Sequence, residues 1–168
     1  MGPEDRPARP LYTPAERRRR DSSPWTLVQG VLAPLQFAIF LISLALVLRA
    51  LATGDGARAA EISVVVKTVA LYAIMVTGSI WEKVVFGRWL FAPAFFWEDV
   101  VSMLVLALHT AYLAALATGA LSGQALLLLA LAAYATYVVN AAQFLLKLRA
   151  ARLEGAGSCA PRLAEALP

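Results

Sequence analysis

The fold class that this sequence predicts is an all-α, polytopic membrane protein with four transmembrane helices, and three observations carry the prediction. Hydrophobic residues fill 60% of the 168 positions and charged residues 15%, against roughly 45–50% and about 25% in a soluble domain. Four apolar stretches each approach the roughly 20 residues that a helix needs to cross a hydrocarbon core about 30 Å thick. Lys and Arg gather in alternate connections between those stretches, as the positive-inside rule requires.

Along the chain, residues 1–10 combine Pro with charge and are expected to be disordered, as is the tail over residues 155–168; residues 11–154 form one membrane domain. The N-terminal region is too polar for a signal peptide, and the first apolar run is too long for an h-region, so it reads as a retained anchor. "MGPEDR" lacks the Ser or Thr of a myristoylation signal. The spans are placed at about residues 26–48, 62–80, 100–117 and 125–146, each a helix because hydrocarbon offers the backbone no hydrogen-bonding partner.

Basic residues orient these spans. Arg6, Arg9 and Arg17 to Arg20 precede the first, Lys83 and Arg88 lie in the second connection, and Lys147, Arg149, Arg152 and Arg162 follow the last. The first connection carries only Arg49 and Arg58, and the third, "TGALSGQ", carries none. Both termini and the second connection are therefore expected on the cytoplasmic side. This arrangement explains the net charge of +4 as topology and leaves no aromatic-interleaved basic face for nucleic acid. The lone Cys159 excludes an intrachain disulfide and any Cys-based metal cluster.

The second connection, "WEKVVFGRWLFAPAFFWED" from Trp81 to Asp99, is unusually aromatic, with Gly87 and Pro93 as breakers. Aromatic side chains favour the headgroup level, so it is expected to lie along the interface, either as the lid of a flat binding site or as a plain anchor.

Polar residues recur at helical spacing within the spans. The stripes are Gln29, Gln36 and Ser43 on the first, Thr68, Tyr72, Ser79 and Glu82 on the second, Glu98, Ser102, His109 and Tyr112 on the third, and Thr136, Asn140, Gln143 and Lys147 on the fourth. They either converge on one buried polar cavity or act as interhelical hydrogen-bonding glue. Lys67 is expected to snorkel to its end of the bilayer, and Pro34 to kink its helix. His109, near mid-bilayer, reads as a packing residue, a proton carrier or an axial ligand to a metal that a bound molecule brings. Glu98 and Asp99 read either as helix caps or, with Glu82 at the same low-dielectric rim, as a source of an acid usable near neutral pH.

Three long strings carry a resemblance: "LYTPAERRRRDSSPWTLVQGVLAPLQF" (Leu11 to Phe37), "IMVTGSIWEKVVFGRWLFAPAFFWEDVVSMLVLALHTAYL" (Ile74 to Leu113) and "YVVNAAQFLLKLRAARLE" (Tyr137 to Glu154). Over roughly residues 11–154 the chain resembles the 3-vinyl bacteriochlorophyllide hydratase family of phototrophic bacteria, called 2-vinyl in the older ring nomenclature. The resemblance implies a hydro-lyase of bacteriochlorophyll a biosynthesis that adds water across the 3-vinyl group of chlorophyllide a or 3-vinyl bacteriochlorophyllide a. The product carries a 1-hydroxyethyl group. It implies a bacterial inner or intracytoplasmic photosynthetic membrane, water as co-substrate and no further cofactor, since the substrate carries its own magnesium. Other enzymes of the pathway are the implied partners.

Set beside that chemistry, Glu98 and Asp99 are the first candidates for the acid and the stabiliser of the cation, with Glu82 third. Trp81, Trp89, Phe95, Phe96 and Trp97 offer surfaces for a flat macrocycle, Lys83 and Arg88 can pair with its propionate, and His109 can ligate its magnesium axially. Tyr112, Asn140 and Gln143 are candidates to hold the water. The competing class is a non-catalytic pigment-binding or photosystem assembly protein, which needs His109 but not the carboxylates. A small transporter is less favoured, because no inverted repeat is visible.

Overall fold

A computed structural model of the protein describes residues 11–157, and the side chains of residues 11–152. The disorder expected for residues 1–10 and for most of the tail over residues 155–168 concerns positions outside the described residues, but residues 155–157 continue the last helix. Five helices follow in order: α1 (Pro14–Ser22), α2 (Pro24–Thr53), α3 (Ala57–Phe86), α4 (Phe96–Thr118) and α5 (Gly123–Gly157). The last four are long and apolar enough to cross a membrane.

Local chemistry sets the helix ends. Thr13 caps α1 in a reciprocal box: its Oγ1 accepts from the Glu16 N–H at 3.3 Å, while Glu16 Oε2 accepts from the Thr13 N–H at 2.8 Å. Pro14 and Pro24 occupy first helical positions, where a missing N–H costs nothing. Ser23 ends α1 and caps α2, its Oγ accepting from the Trp25 N–H at 3.3 Å. At the other end of the bundle α2 stops at Gly54, whose φ of +78° only glycine adopts without strain.

The helices overrun the expected spans. At 1.5 Å per residue the 30 residues of α2 reach about 45 Å, well beyond a hydrocarbon core of about 30 Å. The second connection is correspondingly shorter than expected. Trp81 to Phe86 close α3 and Phe96 to Asp99 open α4, leaving only residues 87–95 outside helices. Charged residues such as Glu82 and Glu98 had marked the span ends in the sequence, but a helix does not stop where its apolar face does.

α2 packs chiefly on α3 and α4 on α5, so the bundle is two helical hairpins laid together, and α1 lies against α3. Phe40 and Val47 of α2, Val64 and Leu71 of α3, Val105 and Tyr112 of α4, and Leu126, Tyr134 and Tyr137 of α5 form the core. Around it the polarity is inverted relative to a soluble bundle. Leu27, Ile42, Val69, Leu104 and Val139 face outward, while Gln36, Lys67, Glu82, Glu98, Asp99, His109 and Asn140 are buried. Lipid covers such an exterior without cost.

Hydrogen bonds between helices carry the specificity that apolar contact cannot supply in lipid. Gln29 Nε2 donates to Thr77 Oγ1 at 2.7 Å, the Ser43 hydroxyl meets those of Ser63 and Tyr134, and the Tyr72 hydroxyl meets that of Thr110 at 2.8 Å. Polar residues of the stripes thus bond neighbouring helices to one another, as interhelical glue does. Asn140 is the most connected of these residues, its Nδ2 donating to the Glu98 carbonyl at 2.9 Å and to Ser102 Oγ at 3.0 Å. Asn140→Ala is expected to lower unfolding free energy by about 1–2 kcal/mol, read by denaturant titration in lipid–detergent micelles. Val138→Ala, on the lipid-facing side, is the near-neutral control.

Candidate active site

The site is built around the nine residues that separate α3 from α4. α3 ends at Gly87, whose φ of +80° turns the chain back over the helix end, and Lys83 Nζ caps that end by donating to the Gly87 carbonyl at 3.0 Å. Three side chains then hold the segment down. Ser79 Oγ donates to the Trp89 carbonyl at 2.6 Å, Asp99 Oδ2 accepts from the Phe91 N–H at 2.8 Å, and Glu82 Oε2 accepts from the Ala92 N–H at 3.2 Å. Successive backbone donors are thus aimed at two carboxyl groups from different helices. Phe91 adopts a left-handed φ of +57° to present its N–H this way, a conformation costing about 1–2 kcal/mol for a residue other than glycine. The Asp99 hydrogen bond and the Phe91–Phe96 ring contact at 5.8 Å hold it there.

Bound to the adjacent N–H groups of Phe91 and Ala92, the carboxyls of Glu82 and Asp99 are brought side by side. Both are buried, at 5% and 3% exposure. Two ionised carboxylates held this close repel each other, so a single proton shared between them relieves that repulsion. With one shared proton the pair can act as acid and base side by side, each carboxyl anchored by a backbone N–H in a setting from which water is largely excluded.

Glu98 takes a different part. Its Oε2 accepts from Lys147 Nζ at 2.5 Å and its backbone carbonyl accepts from Asn140, so it is a charge-compensated strut between α4 and α5. Neither Glu98 nor Asp99 caps its own helix, since α4 has no side-chain cap at Phe95. Gln143 lies on the same face of α5, between Asn140 and Lys147, with a buried Oε1 that finds no hydrogen-bonding partner among the described residues.

The aromatic residues split into two groups. Trp81 and Phe95 join Tyr12, Phe86 and Phe144 in a closed cluster, with Trp81 edge-on to Phe95 at 5.7 Å and Phe95 stacked on Phe144 at 5.9 Å. Trp81 Nε1 further donates to Thr26 Oγ1 at 3.0 Å, tying the start of α2 to the end of α3. Burial pushes the Tyr12 phenol above its ordinary value, against the opposing pull of the Arg20 guanidinium 4.7 Å above its ring. The second group is open: Trp89 and Trp97 are 59% and 69% exposed, and Phe91 and Phe96 lie beside them. Lys83 sits 5.8 Å from the Trp89 ring, and Arg88 is exposed.

His109 and Tyr112 are fully buried but lie elsewhere. They follow Asp99 by ten and thirteen residues, or about 15 and 20 Å along α4. The structure thus gathers Glu82, Glu98, Asp99, Lys83, Arg88, Asn140, Gln143 and the aromatic residues at the α1 end of the bundle, and separates His109 and Tyr112 from them. Sequence reasoning did not anticipate the Phe91 and Ala92 N–H groups, since backbone donors leave no mark in composition. Nor did it anticipate Tyr12 and Phe144, which reach the cluster from opposite ends of the chain. Ser79 was visible on its polar stripe.

Comparison with known proteins follows the same residues. The family model for 2-vinyl bacteriochlorophyllide hydratase matches residues 12–150. A protein of that name from Rhodobacter capsulatus is 62% identical over 161 residues, covering 96% of this chain and 94% of its own. Another from Cereibacter sphaeroides is 66% identical over 148 residues, covering 88% and 92%. No solved structure gives a significant match. With a match across nearly every described residue and relatives this similar over more than nine-tenths of their own length, the chain belongs to the 2-vinyl bacteriochlorophyllide hydratase family.

Proposed function

We propose that the protein hydrates the 3-vinyl group of chlorophyllide a or 3-vinyl bacteriochlorophyllide a, and that the Glu82–Asp99 pair performs the proton transfers. The observation that carries the assignment is the contact between two buried carboxyl groups beneath the segment over residues 87–95. The protonated carboxyl gives its proton to the terminal vinyl carbon, and the positive charge left on the inner carbon spreads into the macrocycle. A water oxygen bonds to that inner carbon, and the proton it sheds returns to a carboxylate of the pair. Bonds, protons and charge balance with one water consumed, and the oxidation level does not change, so the chemistry calls for no redox cofactor. The anionic member of the pair stabilises the cation where it develops.

Substrate placement follows from the exposed groups. A flat magnesium tetrapyrrole rests on Trp89, Phe96 and Trp97 at the membrane surface, and Arg88 pairs with its propionate. In this reading Gln143 Oε1, unpartnered on the α5 face that carries Asn140, holds the water. The vinyl group gains access when residues 87–95 lift, and the strained Phe91 is the natural point of release. By the positive-inside rule the α1 end, with both termini, faces the cytoplasm of a bacterial inner or photosynthetic membrane.

Membranes containing the protein, incubated with chlorophyllide a, are expected to yield a product heavier by one water, detected by chromatography with mass detection. Pigment that binds but never gains water, where an authentic hydratase works, would overturn the enzymatic reading in favour of a pigment carrier.

A further inference from the structure

A second polar group lies deep in the bundle, apart from the carboxylates. Lys67 does not snorkel as its sequence position suggests: it is 0% exposed, and its ammonium rests 3.7 Å over the Tyr137 ring. The neighbouring helices crowd that face of α3, and the aromatic ring holds the cation inside. Among the described residues its Nζ has no hydrogen-bonding partner, and the same is true of His109 Nε2 and the Tyr112 hydroxyl, each in a fully buried residue. The three belong together. Lys67 lies over Tyr137, Tyr134 one turn away on α5 has its ring 5.9 Å from that of His109, and Tyr112 follows His109 by one turn on α4.

The hydrogen-bonding inventory decides what such a place can hold. His109 Nδ1 bonds the Val105 carbonyl at 2.8 Å; a carbonyl only accepts, so Nδ1 carries the hydrogen and Nε2 is left with a bare lone pair. Lys67 offers only donors, and Tyr112 offers either. An anion would suit Lys67 but be repelled by the Nε2 lone pair, while a metal cation would suit Nε2 but be repelled by the ammonium. A small neutral molecule that both accepts and donates satisfies all three, and two to four polar partners are what a buried water needs.

We propose that Lys67, His109 and Tyr112 form a water-binding site near the middle of the membrane. Tyr134 and Tyr137 are its walls, and the site is independent of the hydratase reading. It gives the buried ammonium an acceptor in a place where leaving it without one is costly.

Because His109 is the chain's only histidine, ¹⁵N-histidine labelling reports this site alone. In protein reconstituted into lipid bilayers, solid-state NMR is expected to show Nε2 unprotonated and the ring rapidly polarised from water. Lys67→Met and, independently, Tyr112→Phe are expected to lose that transfer while the backbone spectrum is retained. A wild-type ring that receives no more polarisation from water than the apolar core does would overturn the proposal. So would a response that depends on exchanging chloride for a large organic anion, which would make the ligand an ion. Neither readout involves pigment or turnover, so a failure here leaves the hydratase reading untouched, and the converse holds.

Discussion

Replacing Asp99 with Asn is expected to slow hydration of chlorophyllide a by about 100-fold or more, the range associated with loss of a positioned acid–base group. The Asn carbonyl can still accept from the Phe91 N–H, which wild-type Asp99 does at 2.8 Å, so the segment over residues 87–95 keeps its anchor and pigment binding is retained. Glu82→Gln preserves the Ala92 contact in the same way and is expected to have a similar effect. The two carboxyls act as a unit, so the double variant should be little slower than either single one. Multiplicative losses in the double variant would show that the two groups act separately. Full activity of Asp99→Asn would remove the pair from the mechanism. Glu98→Gln separates the candidates further, because Glu98 is committed to Lys147 at 2.5 Å. Its chief expected cost is to stability, with a smaller one to rate.

The largest stability effect is expected at that ion pair. Glu98 has 9% side-chain exposure and Lys147 24%, so neither charge is well hydrated. Lys147→Met leaves a carboxylate buried beside Asn140 with its compensating charge gone. The expected loss is about 2–3 kcal/mol, below the roughly 3–5 kcal/mol of a fully buried pair because Lys147 keeps some solvent. Adding Glu98→Gln should recover much of it, since no charge then remains to be buried. Denaturant titration of wild type, both single variants and the double variant measures the coupling directly. A double variant as unstable as the sum of the singles would mean that the pair contributes through packing alone.

These expectations rest on different layers of information. The four spans, their helical nature and the polar stripes were legible because a bilayer imposes length, periodicity and charge asymmetry on a chain one residue at a time. The carboxylates were legible as a trio at the rim, but their division was not. Glu98 and Asp99 are adjacent in sequence, yet a helix turns about 100° between them. One faces Lys147 on α5, while the other faces Glu82 on α3. The aromatic connection gave a similarly partial view. Its composition marked the membrane surface, but seven aromatic residues in one stretch carry no sign of which are buried against Tyr12 and Phe144 and which are left open.

By itself, then, the sequence determined the class of protein, the number of crossings and, through resemblance, the reaction. Hydropathy and long shared strings are properties of the chain in one dimension. Only the tertiary structure decided which carboxyl groups meet, which backbone N–H groups hold them, and that Lys67 turns inward to Tyr137 instead of outward to headgroups. Each of those outcomes depends on the rotation of one helix about its axis relative to another. Packing sets that rotation, and no local pattern of residues encodes it.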